Sequence, residues 1–255
     1  MFRFKDKVRF LALERVWFTE NTVNSEADII RYLRCRKPRH GLFIDNRPVE
    51  TVLSDISEDT DTILSKCTKT VKYEVNKCSK EDISINFYTA GELGNNTTLV
   101  DEFEKAYIDF ATGLEDKSVL AAYNRHKIEN MTENDCILIS KAEKDSIAVY
   151  HVYAWGDGSA CLLFSVSNFR NDPSLRNLAG RMNKLLHIRD IEWFREKGVS
   201  LYDWGNISSS VNPNGIDKFK MSFGGEVTTV YNALVGNSAL GKFVSLMYRL
   251  KHSIL

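Results

Sequence analysis

Between residues 136 and 203 the spacing of apolar positions changes in a regular order. Three short runs come first: Cys136 to Lys141, Ile147 to Trp155 and Ala160 to Val166. The third is almost unbroken in its apolar character, as expected of a strand buried on both faces. Lys144-Asp145 and Gly156-Asp157-Gly158 separate the runs with hairpin-turn chemistry, so an antiparallel meander is expected. Ser167 to Ser174 breaks the pattern with turn formers. From about Leu178 to Lys197 the period becomes helical, with Met182, Leu185, Leu186 and Trp193 on one stripe and Gly198 as the closing residue. Val199 to Asp203 is then a short strand ending in a carboxylate. Strand, helix and strand of this length imply a right-handed crossover between parallel strands. Ligands of such units collect at the carboxyl ends of the strands and the amino end of the helix. Ser167 to Arg181 and Asp203 to Asn206 occupy those places.

The remaining chain reads as follows. Residues 1 to 56 form short strands and turns: Val8 to Phe18 is apolar-rich, and Gly41 to Pro48 reads as a strand followed by a turn. Between them Ser25 is placed to cap a short helix through about Leu33. Ser57 to Thr60 begins a helix carrying Ile63 and Leu64, and Thr68 to Lys77 continues it or starts another. Ile83 to Tyr88 alternates as a strand, and helices are expected over Leu99 to Thr112 and Asp116 to Asn130. Beyond the crossover, Asn212 to Gly215 turns and Ile216 to Phe223 is short and basic. Glu226 to Val235 alternates as a last strand, and Ser238 to Lys251 closes the chain as an amphipathic helix.

Charge and cysteine usage narrow the classes. The 255 residues carry 34 basic and 34 acidic side chains, so no global field draws nucleic acid or an acidic membrane. One local cluster stands out: Arg31, Arg34, Arg36, Lys37, Arg39 and His40, which is either a solvated basic face or a phosphate contact. The five cysteines are odd in number, scattered and free of C-x-x-C spacing, which points to core thiols rather than disulfides or a zinc site. No membrane span and no signal peptide are read, and the expected location is cytoplasmic. G-x-S-x-G is absent, and no serine or cysteine has the context of a nucleophile.

From Ile83 the order is strand, two helices, three-strand meander, helix, strand, short helix, strand. This order resembles the GNAT acyltransferase fold. Tyr202-Asp-Trp-Gly-Asn206 followed by Gly215-Ile-Asp-Lys-Phe-Lys-Met-Ser-Phe-Gly-Gly-Glu226 resembles the signature of FemAB-like acyltransferases, the branch that includes peptidoglycan aminoacyl transferases. Ser65 to Lys80 is similar to that family's basic helix before a strand, and Leu162 to Arg170 to its central strand and turn. Asn206 departs from the pattern, where the family often has a second Gly. The chain is also shorter than the two-domain peptidoglycan enzymes with their coiled-coil arm. The resemblance implies an α/β fold: a mixed, mostly antiparallel GNAT-like sheet with splayed central parallel strands and flanking helices over residues 83–255. An N-terminal α/β subdomain would occupy residues 1–82.

The resemblance also implies an activity. The leading expectation is an N-acyltransferase moving an acyl group from acyl-CoA, a co-substrate, to the amine of an amino sugar, nucleotide-linked. Attack would be direct, through a tetrahedral intermediate and without a metal. Two other readings stand beside it: an aminoacyl-tRNA-dependent transferase of the peptidoglycan type, and a non-catalytic acyl-CoA- or sugar-binding protein of this fold. By resemblance, Ser165, Val166 and Ser167 are the strand-end positions that pair with the pantetheine arm, and a backbone N–H nearby would hold the oxyanion. Arg176-Asn-Leu-Ala-Gly-Arg181 is a degraded pyrophosphate loop, with Asn177, Gly180 and Arg181 as contacts, unless the helix starts at Pro173 and Gly180 is interior. Asp203 is expected to orient the acceptor amine or act in catalysis, or else to pair with Lys218 or Lys220. His151 is a candidate base or a satisfied core histidine. Lys72, Tyr73, Asn206 and Lys220 complete the expected substrate contacts.

Overall fold

A computed structural model describes residues 2–8, 10–95, 97–113, 117–169 and 175–253. Its strands are β1 (Phe2–Val8), β2 (Leu11–Trp17), β3 (Ile29–Cys35), β4 (Ile44–Asp55), β5 (Ser84–Thr89), β6 (Ile137–Lys144), β7 (Ile147–Gly156), β8 (Ser159–Ser167), β9 (Leu201–Asn206) and β10 (Glu226–Gly236). Its helices are α1 (Thr60–Lys66), α2 (Lys69–Cys78), α3 (Ala90–Asn95), α4 (Thr97–Thr112), α5 (Lys117–Ala122), α6 (Arg125–Glu133), α7 (Arg176–Glu196), α8 (Gly215–Met221) and α9 (Ala239–Ser253). Among the described residues no helix is long and apolar enough to cross a membrane. The chain forms two compact units, one of Met1–Val52, Asn206–Asp217 and Val227–Leu255, the other of Leu53–Gly205 and Lys218–Glu226. The first is discontinuous because β10 returns to pair with β3.

In the first unit the strand order is β1-β2-β3-β10-β4. β1 and β2 are an antiparallel hairpin, β2 and β3 are parallel, and β3 and β10 are antiparallel. The helix expected from Ser25 through Leu33 is replaced by β3. Ser25 Oγ accepts the Ala27 N–H at 3.0 Å in a local turn, and the following residues find strand partners on both sides. The turn expected at Pro48 is likewise absent, since β4 runs through it. α9 lies over a cluster of Leu11, Leu13 and Ile29, joined by Leu234 and Val244. Asp28 anchors its start: its carboxylate accepts the Ser238 hydroxyl at 2.6 Å and the Ala12 N–H at 3.0 Å. The close seating needs a bare backbone at Gly241, where a Cβ would fall 1.8 Å from the Asp28 carbonyl oxygen.

In the second unit the order is β9-β8-β7-β6-β5. The meander matches expectation: β5 through β8 are antiparallel in sequence, with Asp145 and Asp157 at φ 53° and 49° in the hairpin turns. β8 and β9 are parallel, joined by the crossover helix α7. That helix buries Met182, Leu185, Leu186, Ile188, Ile191 and Phe194 and ends at Gly198, with φ 78°. Asp59 and Thr68 cap α1 and α2 through Thr62 and Val71 amides. The helix expected over Asp116 to Asn130 is two, α5 and α6, because Asn124 is extended at φ −149°; Asp116 lies outside the described residues. On the sheet face opposite α7, Phe103 and Tyr107 of α4 meet Phe164 at ring distances of 5.9 and 5.1 Å.

Two glycines test this packing in opposite directions. Gly241→Ala should lower stability in urea unfolding by about 1–3 kcal/mol through overpacking. Gly180→Ala, in α7 with open space around the new methyl, should raise it by about 0.5–1 kcal/mol. Equal effects of the two would contradict the described seating of α9.

Candidate functional site

The parallel pair β8–β9 is short. Its ladder has three positions, Ser159↔Leu201, Ala160↔Tyr202 and Cys161↔Asp203, after which β8 continues to Ser167 with only β7 in register. Three features sit where the strands part. The β7–β8 register shifts between Val152 and Tyr153, so Leu163 is an extra residue that bends β8. Gly205 takes φ 76°, with the Leu162 carbonyl oxygen only 2.7 Å from where a Cβ would be. Asp203 Oδ1 accepts the Gly205 N–H at 2.9 Å and fixes that turn. A polar residue, a glycine and a bulge therefore steer the two strands apart.

Beyond the parting, the β9-facing edge of β8 offers backbone groups. The Asn168 N–H donates to the Ala148 carbonyl at 3.2 Å, toward β7. Strand alternation then turns the N–H and C=O groups of Ser167 and Ser165 to the open edge, and those of Val166 toward β7. Val166 is also buried. Ser165 and Ser167 thus present their backbone groups at the edge away from β7, while those of Val166 are turned to β7.

Behind Ser165 lies a buried polar chain. The Ser165 hydroxyl donates to Asn183 Oδ1 at 3.3 Å, and Asn183 Oδ1 is 2.6 Å from His151 Nε2. His151 Nδ1 meets Asp190 Oδ2 at 2.6 Å, and the Tyr153 hydroxyl donates to the same oxygen at 2.5 Å. Tyr153 and Tyr202 hydroxyls are 2.7 Å apart, and Tyr202 is 2.9 Å from His187 Nδ1. His151, His187 and Asp190 are each 0% exposed. His151 is therefore a satisfied core residue bonded at both nitrogens, not a base open to a substrate. Which oxygen or nitrogen Asn183 presents follows the protonation of His151: an imidazolium needs the amide oxygen, a neutral ring the amide NH₂. Burial first, then the charges of His151, Lys220 and Lys184, holds His187 well below the ordinary histidine value. Burial, and then Asp190, pushes Tyr153 well above the usual tyrosine range.

The ligand atoms of His151, His187 and Asp190 all lie within 4.8 Å of one another, a spacing a metal ion could use. The rings argue for a hydrogen-bond chain instead. They stack at 4.0 Å and 25°, so their in-plane lone pairs run side by side and do not converge, and both His151 nitrogens are already bonded. The sequence signal for this chain was Asn183, His187 and Asp190, spaced four and three apart on one face of a helix whose neighbouring positions are apolar. Asn183, Tyr153, Tyr202 and Asp190 were not singled out.

The other expected residues divide. Asp203 is 0% exposed, so it is a wall residue and does not project into a cleft. Lys220 brings its ammonium to within 3.5 Å of the Gly205 Cβ direction, at the parting. Gly180 is interior to α7, with Asn177 exposed in its first turn, which corrects the loop expected there. Arg181 pairs with Glu81 at 3.1 Å. The alternative start at Pro173 lies outside the described residues. Lys72 donates to the Ser65 carbonyl at 2.7 Å and so closes α1, and Tyr73 projects into solvent at 66% exposure. Asn206 ends β9 and is exposed.

Two measurements address this arrangement. Gly205→Ala adds a methyl against the Leu162 carbonyl in a left-handed conformation and should cost about 1–3 kcal/mol; an unchanged melting temperature would contradict the close approach. His187 is neutral in the fold but binds a proton when unfolded below its ordinary value of about 6.5. Its contribution therefore makes stability fall as pH drops below about 6.5, with a slope of about 1.4 kcal/mol per pH unit. His187→Asn, which retains a partner for Tyr202, should flatten the stability curve between about pH 6 and 5; parallel curves would contradict a neutral buried His187.

No protein-family model matches the chain, and comparison with curated proteins gives no match. Solved structures do match. A structure of FemX aligns with a TM-score of 0.60 and 11% identity, covering 94% of this chain and 85% of that one. The C-terminal domain of a protein described as a lysylphosphatidylglycerol synthetase from Agrobacterium fabrum aligns with a TM-score of 0.55 and 12% identity, over 89% of this chain and 72% of that one. L-PGS from Bacillus licheniformis gives 0.50 and 13% identity, over 87% and 72%. At these identities the likeness is one of fold: the chain has the GNAT-like, FemAB-like arrangement of a mixed sheet flanked by helices.

Proposed function

We propose that the protein is an acyltransferase whose donor lies along the open edge of β8. The observation that supports this most is the three-position ladder between β8 and β9, which leaves the backbone of Ser165 and Ser167 unclaimed by β9. An extended pantetheine arm can pair with that edge as a missing strand would. An N–H of the same edge suits a carbonyl oxygen as it becomes an oxyanion. The first-turn amides of α7, at Arg176, Asn177 and Leu178, would take the donor's pyrophosphate. The acceptor in this reading is the amine of an amino sugar, nucleotide-linked; the likeness of residues 202–226 to the FemAB-like signature supports acyl transfer to an amine without choosing the acceptor. The amine attacks the thioester carbon, the C–S bond breaks as the tetrahedral intermediate collapses, and the amine's proton leaves to solvent.

In this reading Asp203 is a positioning residue, holding Gly205 and the end of β9. His151 likewise acts through Asn183 on the Ser165 side chain. Lys220, whose ammonium lies 3.5 Å from where a Gly205 Cβ would be, is the candidate cation at the parting.

A second reading is favoured by the FemX and lysylphosphatidylglycerol synthetase likenesses: the same edge would receive the ester of an aminoacyl-tRNA. Thermal shift separates the two through ligand stabilisation of the native state. Acetyl-CoA raising the melting temperature, with thiol release on adding a nucleotide-linked amino sugar, supports the first. A response to aminoacyl-tRNA alone supports the second. No response to any donor would refute both and leave a non-catalytic protein of this fold.

The role of Asp203 is tested separately. Asp203→Asn keeps an oxygen for the Gly205 amide and should retain most of kcat. Asp203→Ala removes it and should lower kcat by about tenfold or more. Equal losses in the two would return a catalytic role to the carboxylate.

A further inference from the structure

The basic cluster seen in the sequence contributes an arginine to a pocket in the first unit, remote in kind from acyl transfer. Arg15 of β2 and Arg31 of β3 are register partners in adjacent parallel strands, so their side chains leave the sheet on the same face. That face carries Leu11, Leu13 and Ile29 beneath α9, and the row turns from apolar to cationic at these two positions. Arg47 of β4 joins them: Arg31, Arg47, Asn232 and Tyr248 line a cavity of about 200 Å³. The Arg47 guanidinium stands 5.6 Å over the Tyr248 ring.

The charges do not balance. Arg15 is paired with Asp6 at 2.7 Å, and Arg47 with Asp45, also a lining residue, at 3.3 Å. Arg31 has no hydrogen-bond or ion-pair partner among the described residues. Three guanidiniums therefore face two carboxylates, and the uncompensated one opens into the pocket. Arg31 is itself exposed, so its charge stands at the mouth of the pocket, beside the like charges of Arg15 and Arg47. A second arginine of the cluster behaves differently. Arg39 lies 3.4 Å over the Tyr32 ring and donates to the Thr19 and Asn21 carbonyls, so it holds structure.

We propose that the pocket between β3, β4 and α9 binds a phosphate group, with Arg31 and Arg47 as its donors and Tyr248 as its wall. A guanidinium fork suits two phosphate oxygens at once. The cavity is smaller than the ~300 Å³ of a drug-sized ligand and fits a small anion or the phosphate end of a larger molecule. That molecule is either a soluble phosphate compound or a phospholipid headgroup. The second source has a reason on the same helix, where Leu240, Phe243, Met247 and Leu250 form an exposed apolar row. The proposal does not depend on acyl transfer at β8.

The experiment uses the full chain in low-salt, phosphate-free buffer, with pyrophosphate as the soluble probe and phosphatidylglycerol vesicles as the lipid probe. Phosphatidylcholine vesicles are the control. Pyrophosphate should raise the melting temperature or phosphatidylglycerol vesicles should co-sediment the protein, and the arm that responds identifies the source. Arg31→Gln should weaken that response at least tenfold, while the melting temperature without ligand stays level or rises, because a repelling charge has gone. Lys37→Gln, an exposed change in the same cluster, should leave binding intact. Absence of binding in both arms overturns the proposal. So does Arg31→Gln binding as well as the native chain, or losing stability without ligand, which would make Arg31 a structural residue.

Discussion

The close approach of Gly205 to the Leu162 carbonyl is the constraint on which the second unit depends. Two parallel strands of five or more residues would ordinarily zip along their length, because each added pair satisfies backbone groups that otherwise need water. Here the ladder stops after Cys161↔Asp203. A glycine at φ 76° turns β9 against β8 with no room for a side chain, and the Asp203 carboxylate holds the glycine's amide. The bulge at Leu163 bends β8 the other way. What remains is a stretch of β8 edge with no ladder partner among the described residues, and such an edge is a ready template for an extended ligand.

The polar chain from Ser165 to His187 has the complementary task of fixing α7 over that edge. Buried polar groups are costly when partly satisfied and specific when satisfied. Asp190 receives both His151 and Tyr153, and Tyr202 links Tyr153 to His187. Because these partners come from β7, β9 and α7, a shift of the helix along the sheet would break several bonds together. Apolar packing alone tolerates such a slip. Trp204 and Phe223, 4.4 Å apart at the ring centres, close the same layer.

Much of this was legible in the sequence where the determinants are local. Asp145 and Asp157 take the left-handed backbone of the hairpins, and the changes of period marked β6 to β8, α7 and β9 in order. The failures are non-local. Ile29–Cys35 reads as the end of a helix until β2 and β10 are beside it, and β10 lies about two hundred residues away in the chain. Asp203 ends an apolar strand, which implied a specific partner, and one such partner is the Gly205 amide two residues on. Val166 shares its strand with Ser165 and Ser167, yet alternation gives it the opposite direction. Asn183, His187 and Asp190 were visible as a polar line on an apolar helix face, a pattern that means little until the strands opposite supply His151, Tyr153 and Tyr202.

The account rests on the edge of β8 being vacant until a donor occupies it. Hydrogen–deuterium exchange over Leu162–Asn168, followed with and without acetyl-CoA or aminoacyl-tRNA, examines that edge directly. The account predicts that the donor which supports turnover slows exchange in this segment, as its backbone N–H groups gain partners. Turnover with exchange over these residues unchanged would contradict it.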